Sequence, residues 1–153
     1  MESEGVLLGE EAIRVMTNTR TTGDVVIWAA QEGLTCPGRT RTNTGREGSP
    51  GTYSDSEPVN IRLGVLEIGD TALASVNAEI YNLIGQRAKK QSPIANTMLV
   101  TLANGRANSG YIPDDASFGH LTFQVLGSRL KPGCAEQGIA NGLADLARQY
   151  TAR

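Results

Sequence analysis

The sequence predicts a mixed α/β fold, with helices flanking a mixed sheet. Apolar and polar residues alternate through residues 61–68, and a Gly69-Asp70 turn followed by residues 71–76 completes a β-hairpin. Apolar residues recur at helical spacing in residues 78–89 and again in residues 133–150. Glycine is frequent, at 18 residues, and aromatic residues make up only 5% of the chain, which indicates a loop-rich α/β protein rather than a helical bundle.

The first part of the chain is predicted to hold a helix, a strand and a long loop. Residues 6–16 form the helix, with acidic residues early and a basic residue late, as the helix dipole favours. Residues 24–30 are apolar and β-branched, which is typical of a strand. Residues 35–58 are rich in proline and glycine and are predicted to be a loop, whose length indicates either a functional loop or a segment that needs neighbours this chain does not supply.

The predicted core spans residues 60–150 and begins with the hairpin. Asn77 is the expected N-cap of the helix at 78–89, which places Glu79 in the first helical turn. A buried strand, a polar loop, a short helical turn, a further strand and a final amphipathic helix are predicted at 97–103, 104–109, 114–118, 121–126 and 133–150.

Charge, hydropathy and cysteine content indicate which binding partners and which cellular compartments the sequence favours. The formal net charge of −2 gives no general attraction to nucleic acid. No apolar run is long enough for a transmembrane segment, and the acidic start, M-E-S-E-G, lacks the features of a signal peptide, so the localisation stays open. Cys36 and Cys134 could pair, but two isolated cysteines favour reduced, buried thiols.

Glu79 and Tyr111 are the candidate functional residues, because each follows a predicted strand. An acid in the first turn of a helix is most often a helix-end group that accepts backbone hydrogen bonds. The functional alternative for Glu79 is a ligand or base at the carboxyl end of a strand. Tyr111 is either a packed ring or, less commonly, a phenolate ligand or proton donor.

Two polar segments and one histidine complete the candidates. The loop residues Asn104, Arg106, Asn108 and Ser109 could contact a polar substrate, although such loops also satisfy their own backbone. The arginines of the 35–58 loop could hold a phosphate or carboxylate, and a solvated loop is the favoured interpretation; they are Arg39, Arg41 and Arg46. His120 is the only histidine, and a lone histidine is more often structural than catalytic.

Two consecutive stretches carry the most specific pattern in the chain. In V-N-A-E-I-Y-N-L-I-G-Q-R, the residues Glu79, Gly85 and Arg87 keep the spacing E-x-x-x-x-x-G-x-R. In L-V-T-L-A-N-G-R-A-N-S-G-Y-I-P, Tyr111 ends a polar loop, and a later P-G-C-A-E segment ends at Glu136. These stretches resemble the neutral/alkaline (non-lysosomal) ceramidase family, and the similarity covers nearly the whole chain. Asn-Ala replaces the family's usual Pro-Gly before the glutamate.

The resemblance implies a zinc-dependent amidohydrolase that cleaves the N-acyl amide of ceramide to sphingosine and fatty acid. The family binds one Zn²⁺ through two histidines, a glutamate and a tyrosine, and the last two match Glu79 and Tyr111. Tyr111 would also be catalytic, by steadying the developing oxyanion. The histidine ligands lie upstream in the family and His120 matches neither, so they are expected outside this chain.

The resemblance further implies that residues 1–153 are the C-terminal portion of a ceramidase-like catalytic domain. The isolated chain is then expected to be inactive, and its partners would be a ceramide-like lipid and the N-terminal portion of the domain. Family members are often secreted or membrane-associated. The alternative left open is a non-enzymatic α/β module that binds a partner through the arginines of 35–58 and the loop at 104–109.

Overall fold

The computed structural model describes residues 2–44 and 50–151. It contains helices and a mixed sheet, which confirms the predicted mixed α/β class. In chain order the elements are α1 (Glu2–Asn18), β1 (Ile27–Thr42), β2 (Thr52–Ile68), β3 (Thr71–Val76), β4 (Glu79–Ile80), α2 (Asn82–Gln91), β5 (Asn96–Thr101), β6 (Tyr111–Ile112), a 3₁₀ helix (Asp115–Gly119), α3 (Phe123–Gly127) and α4 (Ala135–Thr151).

Four strands form the main sheet in the order β1–β2–β3–β5. The pairs β1–β2 and β2–β3 are antiparallel, whereas β5 runs parallel to β3 and is reached through α2. The predicted hairpin is confirmed, since β2 and β3 pair from Ile68 opposite Thr71 to Leu63 opposite Val76. The short strands β4 and β6 form a separate parallel pair.

One face of the main sheet carries the hydrophobic core. The alternation predicted for β2 is confirmed, because Ile61, Leu63 and Val65 are buried while Arg62 and Leu66 are exposed. Helix α4 packs across β1, β2 and β3, and α2 packs against α4 and β5. The two helices therefore cover the same face of the sheet.

Residues 35–58 do not form the long loop predicted for them. β1 continues to Thr42, β2 begins at Thr52, and these two residues are already paired. The register of β1 and β2 shifts at Pro37, which lies in a β-bulge. A bulge residue is not paired across the sheet, so the missing N–H of proline costs no hydrogen bond between the strands. In the described part of this segment, Pro37, Gly38 and Pro58 therefore lie in a bulged pair of long strands.

The start of α2 also differs from the prediction. Helix α2 begins at Asn82 with Tyr81 as its N-cap, so the assignment of Asn77 as the cap was wrong. Glu79 belongs to strand β4 rather than to a first helical turn. The helix-end role that composition favoured for Glu79 is therefore removed.

The strand predicted at 121–126 was wrong as well, because this segment begins a short helix. The Thr122 hydroxyl accepts a hydrogen bond from the Val125 N–H at 3.4 Å and caps α3. A short apolar run is compatible with either a strand or a helical turn, and here the N-cap Thr122 favours the helix.

The remaining predicted elements are confirmed within a few residues at their ends. They are the N-terminal helix, the strand at 97–103, the helical turn at 114–118 and the final helix at 133–150. The burial predicted for the strand at 97–103 was wrong, because Met98 and Val100 are exposed. Among the described residues, no helix is long and apolar enough to cross a membrane.

The two cysteines form a disulfide, so the expectation of reduced thiols was wrong. Cys36 and Cys134 have Cα atoms 5.8 Å apart and are separated by 98 positions in sequence. Cys36 lies at the bulge of β1 and Cys134 directly precedes α4. The bridge therefore ties the start of the helical layer to the edge strand of the sheet.

Glu67 is a charged residue placed inside the core. It shares the inward face of β2 with Val65, its side chain is 0% exposed, and neither carboxylate oxygen has a hydrogen-bond partner. Its cross-strand neighbours are Trp28 on β1 and Ala72 on β3, which offer no ionic partner. Burial raises the pKa of Glu67 above its ordinary value.

The buried carboxyl of Glu67 should make stability fall as pH rises. Below about pH 4.3 the group is protonated in both the folded and the unfolded chain and contributes nothing. Above that pH the unfolded chain releases the proton and the folded chain keeps it, so the free energy of unfolding decreases by up to about 1.4 kcal/mol per pH unit until the folded-state pKa is reached.

Denaturant unfolding between pH 4 and pH 8 measures this effect. The Glu67→Gln variant should lose this component of the pH dependence, whereas Glu57→Gln, on the exposed side of the same strand, should keep the wild-type profile. Identical pH profiles for wild type and Glu67→Gln would contradict the assignment of a protonated core carboxyl.

Candidate metal centre

Glu79 and Tyr111 occupy directly paired positions of neighbouring strands. In the parallel pair β4–β6, Glu79 lies opposite Tyr111 and Ile80 lies opposite Ile112. Residues paired in register share one face of a sheet, and neighbouring strands lie about 4.8 Å apart. The carboxylate and the phenol therefore project from adjacent backbones on the same side.

The parallel strands β3 and β5 bring these two residues together. Val76 and Thr101 are paired at the carboxyl ends of the two strands, so the chain leaves the main sheet twice at the same edge. After that edge the segments stay hydrogen-bonded, with Ala103 N–H donating to the Val76 carbonyl at 3.2 Å and Ala107 N–H to the Asn77 carbonyl at 2.7 Å. Each segment then enters its short strand, β4 or β6.

Asn77 holds this strand end in place. Its side-chain oxygen accepts a hydrogen bond from the Arg62 N–H at 2.7 Å, and its own N–H donates to the Arg62 carbonyl at 3.2 Å. Asn77 is buried, and its carbonyl is the acceptor for Ala107. One residue thus connects β2, the end of β3 and the 102–110 loop two positions before Glu79.

Replacing Asn77 by alanine should destabilise the fold by about 1–3 kcal/mol, because the Arg62 N–H loses its acceptor at a part-buried position. Thermal or denaturant unfolding measures the change. Asn60→Ala is the matched control, since Asn60 accepts a hydrogen bond only from the exposed Thr35 hydroxyl. An Asn77→Ala variant as stable as Asn60→Ala would contradict this role.

The polar groups of Glu79 and Tyr111 are available at the surface. Both residues are half-buried, and within residues 2–44 and 50–151 neither the carboxylate nor the phenol hydroxyl has a hydrogen-bond or ion-pair partner. The Tyr111 ring contacts the Phe123 ring edge-on, with centroids 5.9 Å apart. Phe123 and the nearby Leu121 are themselves exposed, which gives the pair an apolar neighbourhood.

Three of the four loop residues predicted to contact substrate, Asn104, Arg106 and Ser109, occupy different environments. Asn104 and Arg106 are exposed, and the Asn104 carbonyl accepts a hydrogen bond from the Arg62 guanidinium at 2.7 Å. Ser109 is 0% exposed, and its hydroxyl donates to the neighbouring Gly110 carbonyl at 2.8 Å. Ser109 therefore supports the loop from within, and the exposed side chains are those of Asn104 and Arg106.

The arginines of the 35–58 segment are not an exposed cationic cluster. Arg39 is buried, and its guanidinium donates to the Val125 and Ser128 carbonyls at 2.7 and 3.2 Å. It also stacks 3.8 Å from the centroid of the Tyr53 ring. The expectation of a solvated or anion-holding Arg39 was therefore wrong, because its hydrogen bonds and its aromatic contact are made inside the fold.

Of the other two arginines of this segment, only Arg41 lies in the described part of the chain. The Arg41 guanidinium donates across the β1–β2 connection to the Pro50 carbonyl at 2.9 Å. Arg46 lies outside the described residues. Burial lowers the pKa of Arg39, and the neighbouring Tyr53 acts in the opposite direction.

The remaining residues of the motif form the scaffold behind the pair. The Arg87 guanidinium on α2 lies 2.6 Å from the Glu136 carboxylate on α4, and the same carboxylate accepts the Asp115 N–H at 2.7 Å. A Cβ at Gly85 would lie 2.7 Å from the Leu99 side chain, so this glycine lets α2 approach β5 closely. The sequence spacing did not reveal that Arg87 and Glu136 pair with each other.

The donor set fits part of a zinc site. Carboxylate oxygen is a common Zn²⁺ ligand, and catalytic zinc sites use three protein ligands plus an open position. Glu79 and Tyr111 supply two oxygen donors, while the described residues contain no group of three or more His, Cys, Asp or Glu side chains able to hold a metal. His120 is exposed at the end of the 3₁₀ helix.

Comparisons with models of protein families, with curated proteins and with solved structures found no match to this chain. The resemblance to ceramidases therefore rests on the sequence motifs alone.

Proposed function

We propose that this chain carries two of the four zinc ligands of a ceramidase-type amidohydrolase, with Glu79 as the carboxylate ligand and Tyr111 as the phenol ligand. The reaction is hydrolysis of the N-acyl amide of a ceramide-like lipid to sphingosine and fatty acid. Two histidine ligands come from outside the chain, in the N-terminal portion of the same catalytic domain. The isolated chain is then inactive.

The register of β4 and β6 is the observation that supports this proposal. Motif similarity picks out Glu79 and Tyr111 although 31 positions lie between them, and the fold pairs these two residues directly. Neither the carboxylate nor the phenol hydroxyl has a protein hydrogen-bond partner within the described residues, and both residues are only half-buried, so both oxygens are accessible to a ligand. Two unpartnered oxygen donors on one face suit a shared cation.

Each residue of this region has a defined task in the proposed site. Zinc bound there would supply a water of pKa about 7 and a Lewis acid for the amide carbonyl. Glu79 and Tyr111 would hold the cation, Tyr111 as the phenolate, and Tyr111 would act on the oxygen where negative charge develops through that cation. The exposed Asn104 and Arg106 side chains line the same loop and contact the polar part of the substrate.

The apolar neighbours of Tyr111 suit a lipid substrate. Phe123 packs on the Tyr111 ring and Leu121 is exposed two residues before it. An acyl chain that lies along these side chains would remove their apolar surface from water. Arg39 is buried and Arg41 is hydrogen-bonded to the Pro50 carbonyl, so these two arginines do not support the non-enzymatic alternative, whose other binding segment is the loop with the exposed Asn104 and Arg106.

A turnover assay tests the function. A polypeptide in which the chain is joined to an upstream segment bearing two histidines in metal-ligand context should release fatty acid from a labelled short-chain ceramide in a Zn²⁺-dependent manner. The isolated chain should release none under the same conditions. Robust turnover by the isolated chain would contradict the two-ligand assignment, and a joined protein that is folded and zinc-loaded but inactive would contradict the substrate class.

A further inference from the structure

The main sheet has a second face that no described element covers. Helices α2 and α4 both pack on the opposite face. This outward face, which we call the bare face, is apolar across all four strands. Its apolar residues are Ile27 and Ala29 on β1, Leu66 and Ile68 on β2, Leu73 on β3, and Met98 and Val100 on β5.

The residues of the bare face lie in register and form a continuous surface. Ala29 pairs with Leu66, Leu66 with Leu73, and Leu73 with Met98, so one apolar row crosses the whole sheet. Ile27 pairs with Ile68 in the adjacent row. Met98 is 57% exposed. A contiguous apolar sheet face of this kind marks an interaction surface.

Helix α1 is an equally unpartnered apolar element. Its described side chains are all exposed, and it makes no substantial contact with any other element. Leu8, Ala12, Ile13 and Met16 recur at helical spacing and share one side, opposite Glu10 and Arg14. Ile13 and Met16 are 64% and 75% exposed. A helix of 17 residues with two internal glycines gains most of its stability from packing that side.

We propose that α1 of one copy docks on the bare face of a second copy, which gives a closed, symmetric dimer by helix exchange. In the chain as it folds, α1 leaves its own sheet uncovered, and the linker is fixed at its end by the Gly69 N–H, which donates to the Val26 carbonyl at 3.0 Å. A second copy covers the apolar side of α1 and the bare face, and α1 makes no contact with the sheet of its own chain. In the two-fold symmetric dimer each α1 lies on the bare face of the other copy, so neither an apolar helix side nor a bare face stays exposed.

The length and the charge of α1 are compatible with docking on the bare face of a second copy. A helix of 17 residues is about 25 Å long, and four strands spaced about 4.8 Å apart form a platform that it can cross. Each copy contributes its apolar helix side and its bare face, so the dimer has two such contacts with which to reach the roughly 1,200 Å² that a stable interface buries. The strand positions of the bare face carry no carboxylate, and Arg62 borders it, whereas α1 is acidic.

Sedimentation equilibrium over a concentration series tests the proposal. The wild-type chain should be a dimer, and both Leu8→Ser/Ile13→Ser in α1 and Leu66→Thr/Leu73→Thr on the bare face should be monomers. Glu10→Gln/Arg14→Gln, on the polar side of α1, is the matched control and should stay dimeric. Circular dichroism checks that the sheet variant is folded.

Mixing the two monomeric variants distinguishes exchange from other arrangements. A helix variant still has an intact bare face and a sheet variant still has an intact α1, so the mixture should form a heterodimer through one contact, with a weaker association than the wild-type dimer. A monomeric wild type, whether α1 covers its own sheet or not, would overturn the proposal. A dimer that persists in either variant would overturn it too. The proposal does not depend on the zinc assignment.

Discussion

Replacing Glu79 by glutamine is expected to lower the Zn²⁺ affinity of the chain by more than the 10–100-fold that loss of an outer-shell partner costs, because a direct anionic ligand is removed. Tyr111→Phe should have a comparable effect, since it removes the oxygen paired with Glu79 across β4 and β6. Isothermal titration with Zn²⁺ measures both. Free imidazole in the buffer supplies the nitrogen donors that the chain lacks.

Two control variants make this result specific. Tyr81→Phe removes a phenol that already bonds the Thr122 hydroxyl at 3.2 Å, so it should leave Zn²⁺ affinity unchanged. His120→Gln removes the only histidine and should also leave it unchanged. If His120→Gln abolished binding while Glu79→Gln did not, the zinc site would lie elsewhere in the chain.

Removing the disulfide between Cys36 and Cys134 is expected to cost about 4–5 kcal/mol, the loop-entropy value for a bridge that closes roughly 100 residues. A loss of this size is a large fraction of the stability of a domain, so the reduced chain should unfold at moderate temperature. Thermal unfolding with and without reductant measures the effect.

The Cys36→Ser/Cys134→Ser variant provides the control for the disulfide. It should match the reduced wild type, and reductant should not change it further. Oxidising compartments are where such bridges persist, so the chain is expected to fold in one. Equal stability of the oxidised and reduced wild type would contradict a structural role for the bridge.

Local patterns predicted the elements whose contacts are local or strongly periodic. The hairpin at Gly69 and the amphipathic helix α4 follow from residue spacing alone, and both are confirmed. The long strands around Pro37 were missed, since proline and glycine usually mark loops and only the distant partner strand reveals the bulge. The disulfide was missed for the same reason, because nothing near Cys36 indicates Cys134.

The candidate site was also predicted only as far as local sequence patterns reach. Glu79 and Tyr111 were singled out because each follows a predicted strand, and the register of β4 and β6 pairs them. The neighbourhood depends on long-range contacts that sequence does not show. Asn77 was predicted to cap the helix that follows it in sequence, whereas its side chain accepts a hydrogen bond from the Arg62 N–H on β2. Ser109 was grouped with exposed loop residues, although its hydroxyl is satisfied inside the loop.

Zinc-induced ionisation of Tyr111 is the most direct test that Glu79 and Tyr111 share one cation. The ultraviolet difference spectrum of the chain, titrated with Zn²⁺ in the presence of imidazole, should show the tyrosinate band at a stoichiometry of one tyrosine per bound ion, out of the four tyrosines present. The band should be absent from both Tyr111→Phe and Glu79→Gln and retained in Tyr81→Phe. A tyrosinate band that persists in Tyr111→Phe, or no band when zinc is bound, would contradict the assignment.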